Sequence, residues 1–332
     1  MNKLIAFPHK PGSGGPGSFQ KRFESELKKN GFQIGYLDQI NINPDLIFIV
    51  GGTKKIKKLL AWKLKKVPIL YRLDGINWLH RIPKTHQSSF KNYVLSEAIN
   101  LSNKIIHGFI ADFIIYQSDF VKVWWNEKGI VKRKEHAIIH NGVDLNKFNA
   151  ETNTQKELKI VILEGLLDYS PYAIDLINEL ADEYGDKLEV YGGIKYEIER
   201  KKLNPKVNYK GSVGFMDTPN VYKNCIYLSL DINPACPNTV IEALSCGAPV
   251  VGYDTGAIKE LLTNKSGICV DYGSNPWKLE YPNVDNLKNA INTISKNYRE
   301  FSDNARKHAI KKFSIESITG QYIKIIKNYI DV

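Results

Sequence analysis

The stretch that decides the fold is Asp231-Ile232-Asn233-Pro234-Ala235-Cys236-Pro237-Asn238-Thr239-Val240-Ile241-Glu242-Ala243-Leu244-Ser245-Cys246-Gly247-Ala248-Pro249-Val250-Val251. An apolar run over 226–232 leads into it. A tight Pro-rich loop follows, then a helical pattern over 238–246, a stop at Gly247 and a second apolar run over 249–253. Strand, loop, helix and strand in that order imply parallel strands joined by a right-handed crossover. Asn238 suits an N-cap, which leaves the N–H groups of Thr239 and Val240 to face an anion. Glu242 falls one turn further in. It can accept two hydroxyl hydrogen bonds, as a ribose would offer, or it is a surface carboxylate favoured by the helix dipole.

The same alternation extends in both directions. Upstream, short runs rich in Ile, Val, Phe and Tyr lie at 4–7, 32–37, 46–50, 68–74, 104–109, 113–118 and 137–141. They suit strands buried on both faces. Helical patterns near 18–30, 54–66, 87–103 and 119–128 separate them. A polar stretch over 146–157 reads as a linker. Strand runs then resume at 158–163, 188–191, 207–209, 226–232, 249–253 and 267–270. Helices are expected near 171–184, 217–224, 238–246, 256–263, 284–298, 300–312 and 315–330. At roughly 100–200 residues per domain, 332 residues favour two domains. The expected architecture is α/β: two doubly wound, Rossmann-like domains facing a central cleft, over 1–150 and 151–312. Residues 313–332 form a C-terminal helix expected to pack back on the first domain. Ligands in such sheets bind beyond the carboxyl ends of the strands, so the cleft is the expected active site.

Composition narrows the function classes. Apolar residues make up 43% and charged residues 24%, which excludes wholesale disorder. No stretch approaches the ~18–20 apolar residues of a membrane span. The opening residues, broken by Pro8, are too short for a secretory signal and read as a first strand. Cys225, Cys236, Cys246 and Cys269 form no C-x-x-C pair, so free thiols in a reducing cytoplasm are expected. Residues 1–150 carry 24 basic and 11 acidic side chains, and residues 151–332 carry 22 and 24. The whole excess of the +11 net charge therefore lies in the first half, a field that attracts an anionic partner. No helix-turn-helix, zinc-finger or RNP pattern is present, and nucleic acid is not expected as a partner.

After the first strand comes Lys10-Pro11-Gly12-Ser13-Gly14-Gly15-Pro16-Gly17-Ser18-Phe19-Gln20. Its glycines let the backbone approach a ligand, and the helix behind it adds favourable potential for phosphate. Its spacing is neither G-x-G-x-x-G nor a P-loop. A dehydrogenase or nucleotide hydrolase is therefore poorly supported. The alternative is a glycine-rich loop with no ligand.

Three segments together resemble the retaining glycosyltransferases of family 4, the glycosyl transferases group 1 with the GT-B fold. They are Ala111 through Phe120; Ile138-Ile139-His140-Asn141-Gly142-Val143-Asp144 with Phe148; and Pro237 through Val251, completed by Gly256 and Glu260. The resemblance implies a nucleotide-diphosphate sugar on the second domain, an acceptor on the first, and transfer with retained configuration and no metal. It places the ribose at Glu242. It places the diphosphate at the amides of Asn238, Thr239 and Val240 and at Gly14 and Gly15. The base lies near the loop 211–216, with Phe215 as a contact. A departing diphosphate needs fixed positive potential where charge develops.

This sequence departs from the family's pattern at three places. Pro234 stands where members commonly have a glutamate for the donor sugar. Leu163 through Tyr172 hold none of the usual basic residues. The strand at 68–73 ends Tyr71-Arg72-Leu73-Asp74-Gly75 where many have a histidine. Arg72 is a candidate replacement cation and Asp74 a candidate for orienting a sugar hydroxyl or stabilising charge near the anomeric carbon. The competing reading is a buried Arg72–Asp74 pair.

Between 54 and 66 lie seven lysines, with Ile56, Leu59, Leu60 and Leu64 on one stripe. Lys54, Lys57, Lys58 and Lys65 are candidates for contact with an anionic membrane surface. The alternative is a crossover helix with its stripe on the sheet and a solvated lysine face. The expected function is a metal-independent cytoplasmic glycosyltransferase, peripheral on the inner face of the membrane, building a lipid-linked or polysaccharide surface glycan. A non-catalytic nucleotide- or glycan-binding protein and a nucleotide-sugar epimerase are the alternatives.

Overall fold

The computed structural model describes residues 3–12, 14–83, 85, 87–132, 135–149 and 157–330. Ser13 of the glycine-rich loop and residues 150–156 of the expected linker lie outside these. The chain divides into two units. The first takes in the residues up to Arg81, Ser89–Gly142 and everything from Ile315 on; the second takes in Ile82–Ser88 and Val143–Ser314. The boundary thus falls at Gly142, eight residues before the expected 150.

In the first unit, strands β1 (Leu4–Phe7), β2 (Gln33–Tyr36), β3 (Leu46–Val50), β4 (Ile69–Leu73), β5 (Phe113–Tyr116) and β6 (His136–Ile138) form one sheet. Its order is β2-β1-β3-β4-β5-β6, and every pair is parallel. Strands β1 and β4 are buried along their whole length, as expected of strands covered on both faces. The connecting helices are α1 (Gly14–Lys29), α2 (Ile56–Leu64), α3 (Phe90–Ile105) and α4 (Asp119–Lys128). Ser89 caps α3 and Ser118 caps α4, each accepting a hydrogen bond from an amide of the first turn.

The apolar run at 104–109, expected as a strand, is instead helical: α3 continues into a π turn over Ile106–Ile110. No Gly or Pro separates Asn103 from Ile106. The helix runs on, and Ile106, His107 and Ile110 bury one side of it. The sheet's next strand begins only at Phe113.

The second unit holds β7 (Lys159–Leu166), β8 (Leu188–Gly193), β9 (Asn208–Gly211), β10 (Cys225–Ser229), β11 (Val250–Tyr253) and β12 (Gly267–Val270). They run in the order β12-β11-β10-β7-β8-β9, again all parallel. Its helices are α5 (Ala173–Tyr184), α6 (Glu197–Lys202), α7 (Thr218–Val221), α8 (Asn238–Ser245), α9 (Ile258–Leu261), α10 (Val284–Lys296) and α11 (Tyr298–Lys312). Strand order reverses between β7 and β10, the point where doubly wound sheets open a ligand crevice. In the first unit the reversal lies between β1 and β3.

The last helix, α12 (Ile315–Lys327), is part of the first unit. Its Tyr322 ring lies 5.6 Å from Phe19, 4.9 Å from Phe23 and 5.8 Å from Phe48. These rings, with Phe7, Ile318 and Ile326, make one apolar cluster between sheet and helices. The second unit packs β7, β10 and β11 against α8 and α11 through Val161, Tyr227, Val240, Leu244, Val250 and Ala305.

Candidate functional site

In the second unit the residues of interest gather at the carboxyl ends of β7 and β10. Glu164, in β7, accepts a hydrogen bond at Oε1 from the Leu230 amide, 3.2 Å away. Asp231 lies two residues beyond the end of β10. Burial, reinforced by the charge of Asp231, pushes the Glu164 carboxyl well above the usual range, and burial raises Asp231 to about 6. Tyr169 fixes this corner: its hydroxyl donates to the Leu230 carbonyl at 2.8 Å and accepts from the Ile232 amide at 2.9 Å. Nothing local in the sequence marks Glu164 and Asp231 as site residues. Only the pairing of β7 with β10 brings two carboxylates 67 positions apart to one corner of the sheet.

The Pro-rich loop beyond Asp231 is tightly built. Asn233 adopts a left-handed φ of 53°, and its buried Nδ2 has no hydrogen-bond partner among the described residues. The Ala257 amide donates to the Pro234 carbonyl at 2.9 Å. Gly256, at φ 60°, lies so close that a Cβ there would meet Pro234 N at 2.4 Å. The loop delivers the chain to α8 with Pro237 as N-cap, not Asn238, and without a side-chain cap. Asn238 is the first helical residue, and its Oδ1 has no partner among the described residues. Among the described residues no side chain caps the first amides of α8, the arrangement in which a helix start can take an anion. The Thr239 hydroxyl is hydrogen-bonded to Tyr227, whose own hydroxyl donates to the Leu163 carbonyl. Val240 is fully buried in the core. Glu242 retains 6% exposure, so it is not the surface carboxylate of the competing reading. Burial and then Glu242's charge push the Cys246 thiol up to about 12.

Phe215 is a half-exposed ring on the loop after β9. Lys147 Nζ lies 3.4 Å from its ring centroid, and Phe148 lies 6.0 Å away. The Lys147 ammonium thus covers one face of the Phe215 ring. In the segment without basic residues, Asp168 accepts from the Lys195 and Tyr196 amides at 2.8 and 2.9 Å and serves as a structural tie.

In the first unit Gly14 and Gly15 open α1. Both are exposed, and Gly14 has φ 76°. Gly17 is the sterically required member of the loop, since a Cβ there would lie 2.1 Å from the Gly12 carbonyl oxygen.

Beyond β1, β3 and β4 lies a cavity of about 780 Å³, lined by His9, Gly51, Thr53, Lys54, Asp74 and Asn103 among others, with Leu95, Ala98 and Ile99 as an apolar wall. His9 Nε2 and Thr53 Oγ1 share a hydrogen bond of 2.8 Å, and burial, helped by Lys55, lowers the His9 pKa. Asn103 Oδ1 is buried without a partner among the described residues, and a Cβ on Gly52 would strike it at 2.4 Å. Asp74 accepts from Arg72 Nη1 at 3.1 Å and from Gln117 Nε2; burial raises its pKa against the opposing pull of Arg72 and Gln117.

Arg72 forms with Asp74 the buried pair of the competing reading. It is 1% exposed. Its guanidinium lies over the Phe19 ring at 3.7 Å and donates to Asp74, to Asn141 Oδ1 and to the Tyr322 hydroxyl. Three of its five N–H donors are engaged inside the unit, and one of them orients Asp74.

Lysines 54, 57, 58 and 65 are exposed on or beside α2. Lys58 pairs with Asp38 at 2.5 Å, and Lys65 lies 4.4 Å from the Trp62 ring centroid. The expected apolar stripe does not pack as a whole. Leu59 alone among the helix residues is fully buried, whereas Leu60 is half-exposed and Leu64 is 86% exposed.

The family model for glycosyl transferases group 1 matches residues 168–297. A segment of 138 residues is 29% identical to one subunit of the human phosphatidylinositol N-acetylglucosaminyltransferase, a match covering 38% of this chain and 28% of that protein. Among solved structures, the sucrose-phosphate synthase of Thermosynechococcus elongatus superposes with a TM-score of 0.74 at 15% identity, covering 98% of this chain and 99% of that one. A glycosyltransferase from Rickettsia africae gives 0.73 at 17%, covering 99% and 98%. Anabaena HepE, solved with UDP and glucose, gives 0.69 at 16%, covering 99% and 100%. The chain therefore has the GT-B fold, and its residues 168–297 are similar to the glycosyl transferases group 1.

Proposed function

We propose that the protein is a glycosyltransferase that moves a sugar from a nucleotide-diphosphate sugar to an acceptor, with retained configuration and without a metal. The observation that carries this reading is the start of α8: uncapped amides at Asn238 and Thr239, one turn before the nearly buried carboxylate of Glu242, in the domain that the family model matches. In this reading the amides hold the diphosphate, Glu242 accepts from the ribose hydroxyls, and Phe215 with Lys147 faces the base. Fixed amide dipoles stabilise the charge that develops on the leaving diphosphate, with no reorganisation at the moment of transfer. The HepE complex with UDP-glucose supports a nucleotide-sugar donor by analogy of fold. The first unit's cavity is the acceptor site, where Asp74, His9 and the unpartnered Asn103 Oδ1 meet hydroxyls and the apolar wall meets a lipid. The acceptor is lipid-linked or a growing polysaccharide, and the protein works at the cytoplasmic membrane surface.

The test is calorimetry and thermal shift with nucleotide diphosphates and their sugars. One nucleotide should bind, and Glu242→Gln should weaken it about tenfold, near 1.4 kcal/mol, with little change in the melting temperature of the free protein. Binding that ignores Glu242→Gln overturns the assignment. Chelator should leave transfer unchanged.

A second reading, binding without catalysis, is favoured by one finding. Arg72 is committed to Asp74, Asn141 and Tyr322, and Leu163–Tyr172 supplies no cation to replace it. Measurable transfer or donor hydrolysis excludes that reading.

A further inference from the structure

Helix α3 is a long helix with almost no buried residues. Of its sixteen residues only Asn100 is buried. Phe90 is 84% exposed, and Val94, Leu95, Ala98 and Leu101 are exposed with it. At 100° per residue these five, with Lys91, fall within a single arc of about 140°. A contiguous apolar stripe on a surface helix marks a contact with something outside the chain.

Two further observations say what. Leu95 and Ala98 belong both to the arc and to the wall of the first unit's cavity, so the stripe is continuous with that cavity. The surrounding charge is mainly positive, and Glu97 at the edge of the arc is paired with His80 and Arg81. Exposed Lys91 lies in the arc, and exposed Lys54 lines the cavity rim. Helix α2 is tied alongside, since Ser102 Oγ donates to the Thr53 carbonyl and Lys63 Nζ to the Ile110 carbonyl. It adds Lys57 and the exposed Leu60 and Leu64. The half of the chain holding both helices carries all the net positive charge.

We infer that the apolar arc of α3, flanked by these lysines, is the face on which the protein rests on an anionic lipid bilayer. The arc enters the headgroup–acyl boundary, the lysines meet anionic headgroups, and Leu95 and Ala98 lead from the leaflet into the cavity. The choice of a bilayer over another protein rests on the proposed lipid-linked acceptor. The contact itself does not depend on the donor chemistry.

The experiment is flotation of the full chain with phosphatidylcholine vesicles, with and without phosphatidylglycerol, for the parent, for Phe90→Asp with Val94→Asp, and for Lys57→Glu with Lys91→Glu. All four side chains are exposed, so both variants should keep the fold. The parent should float with phosphatidylglycerol vesicles and lose binding in salt. The aspartate variant should lose about tenfold or more of that binding, as expected when apolar area is withdrawn from the interface. The lysine variant should lose the preference for anionic lipid. A parent that ignores both vesicles, or an aspartate variant that binds like the parent, overturns the inference. So does sedimentation showing a dimer that the aspartate variant breaks, since a second copy would then cover the arc. Nucleotide-induced thermal shift on the same samples reports the donor site separately: if it persists while flotation fails, only this inference falls.

Discussion

At the scale of single residues, two buried charged groups make opposite predictions. Arg72 holds Asp74, Asn141 and Tyr322 through one planar fork and stacks on Phe19. Arg72→Ala strands the Asp74 carboxylate, a loss expected near 3–5 kcal/mol in denaturant unfolding. Arg72→Lys should not restore it, because an ammonium cannot reach three partners with fixed geometry. Asp231 is the reverse case. Burial lifts its pKa from 3.8 to about 6 in the folded protein. The folded state thus keeps a proton that the unfolded chain has already released. The stabilisation is full below about pH 3.8 and is lost as pH rises through about 6. Asp231→Asn should therefore gain on the parent in melting temperature between pH 4 and pH 7. A constant difference across that range would show that the carboxyl is not desolvated in the fold.

At the scale of elements, α12 and the Pro-rich loop carry the sharpest expectations. Helix α12 supplies Tyr322, in contact with Phe19, Phe23 and Phe48, and Ile318 and Ile326 beside it. Tyr322→Ala should cost about 3–5 kcal/mol and also release the Arg72 fork, which chemical denaturation would measure. Gly256 stands where only glycine fits, at φ 60° and against the backbone of Pro234. Gly256→Ala should displace the loop that delivers α8 and abolish nucleotide binding in calorimetry. The same substitution at Gly15, which meets nothing within 4 Å, should leave the fold unchanged.

At the scale of the whole molecule, the four cysteines and the charge are the informative features. Cys225, Cys236 and Cys246 are buried thiols outside any disulfide, and Cys269 is partly exposed. Burial pushes Cys269 and Cys246 up to about 12. Thiol labelling of the native protein should therefore be slow and confined first to Cys269, with all four reacting on unfolding. Reductant should not change the melting temperature. Two or more thiols reacting quickly in native buffer would contradict this packing. Among the described residues no helix is long and apolar enough to cross a membrane.

Both sheets are legible in the sequence because strands covered on two faces must be almost wholly apolar. Runs such as Leu46–Val50 and Val250–Tyr253 leave no other period to fit. The start of α8 is legible for a related reason, since Pro, Asn and Thr before an apolar helix announce its entry locally. The run at 104–109 reads as a strand although it is helical, because a short apolar segment looks alike in both, and only the packing of Ile106, His107 and Ile110 decided it. The fate of Arg72, the meeting of Glu164 with Asp231, and the bare arc of α3 were decided by the tertiary structure alone. Each depends on what lies across a sheet or beside a helix from residues tens to hundreds of positions away, and desolvation and partnering are properties of that neighbourhood, which local sequence does not encode.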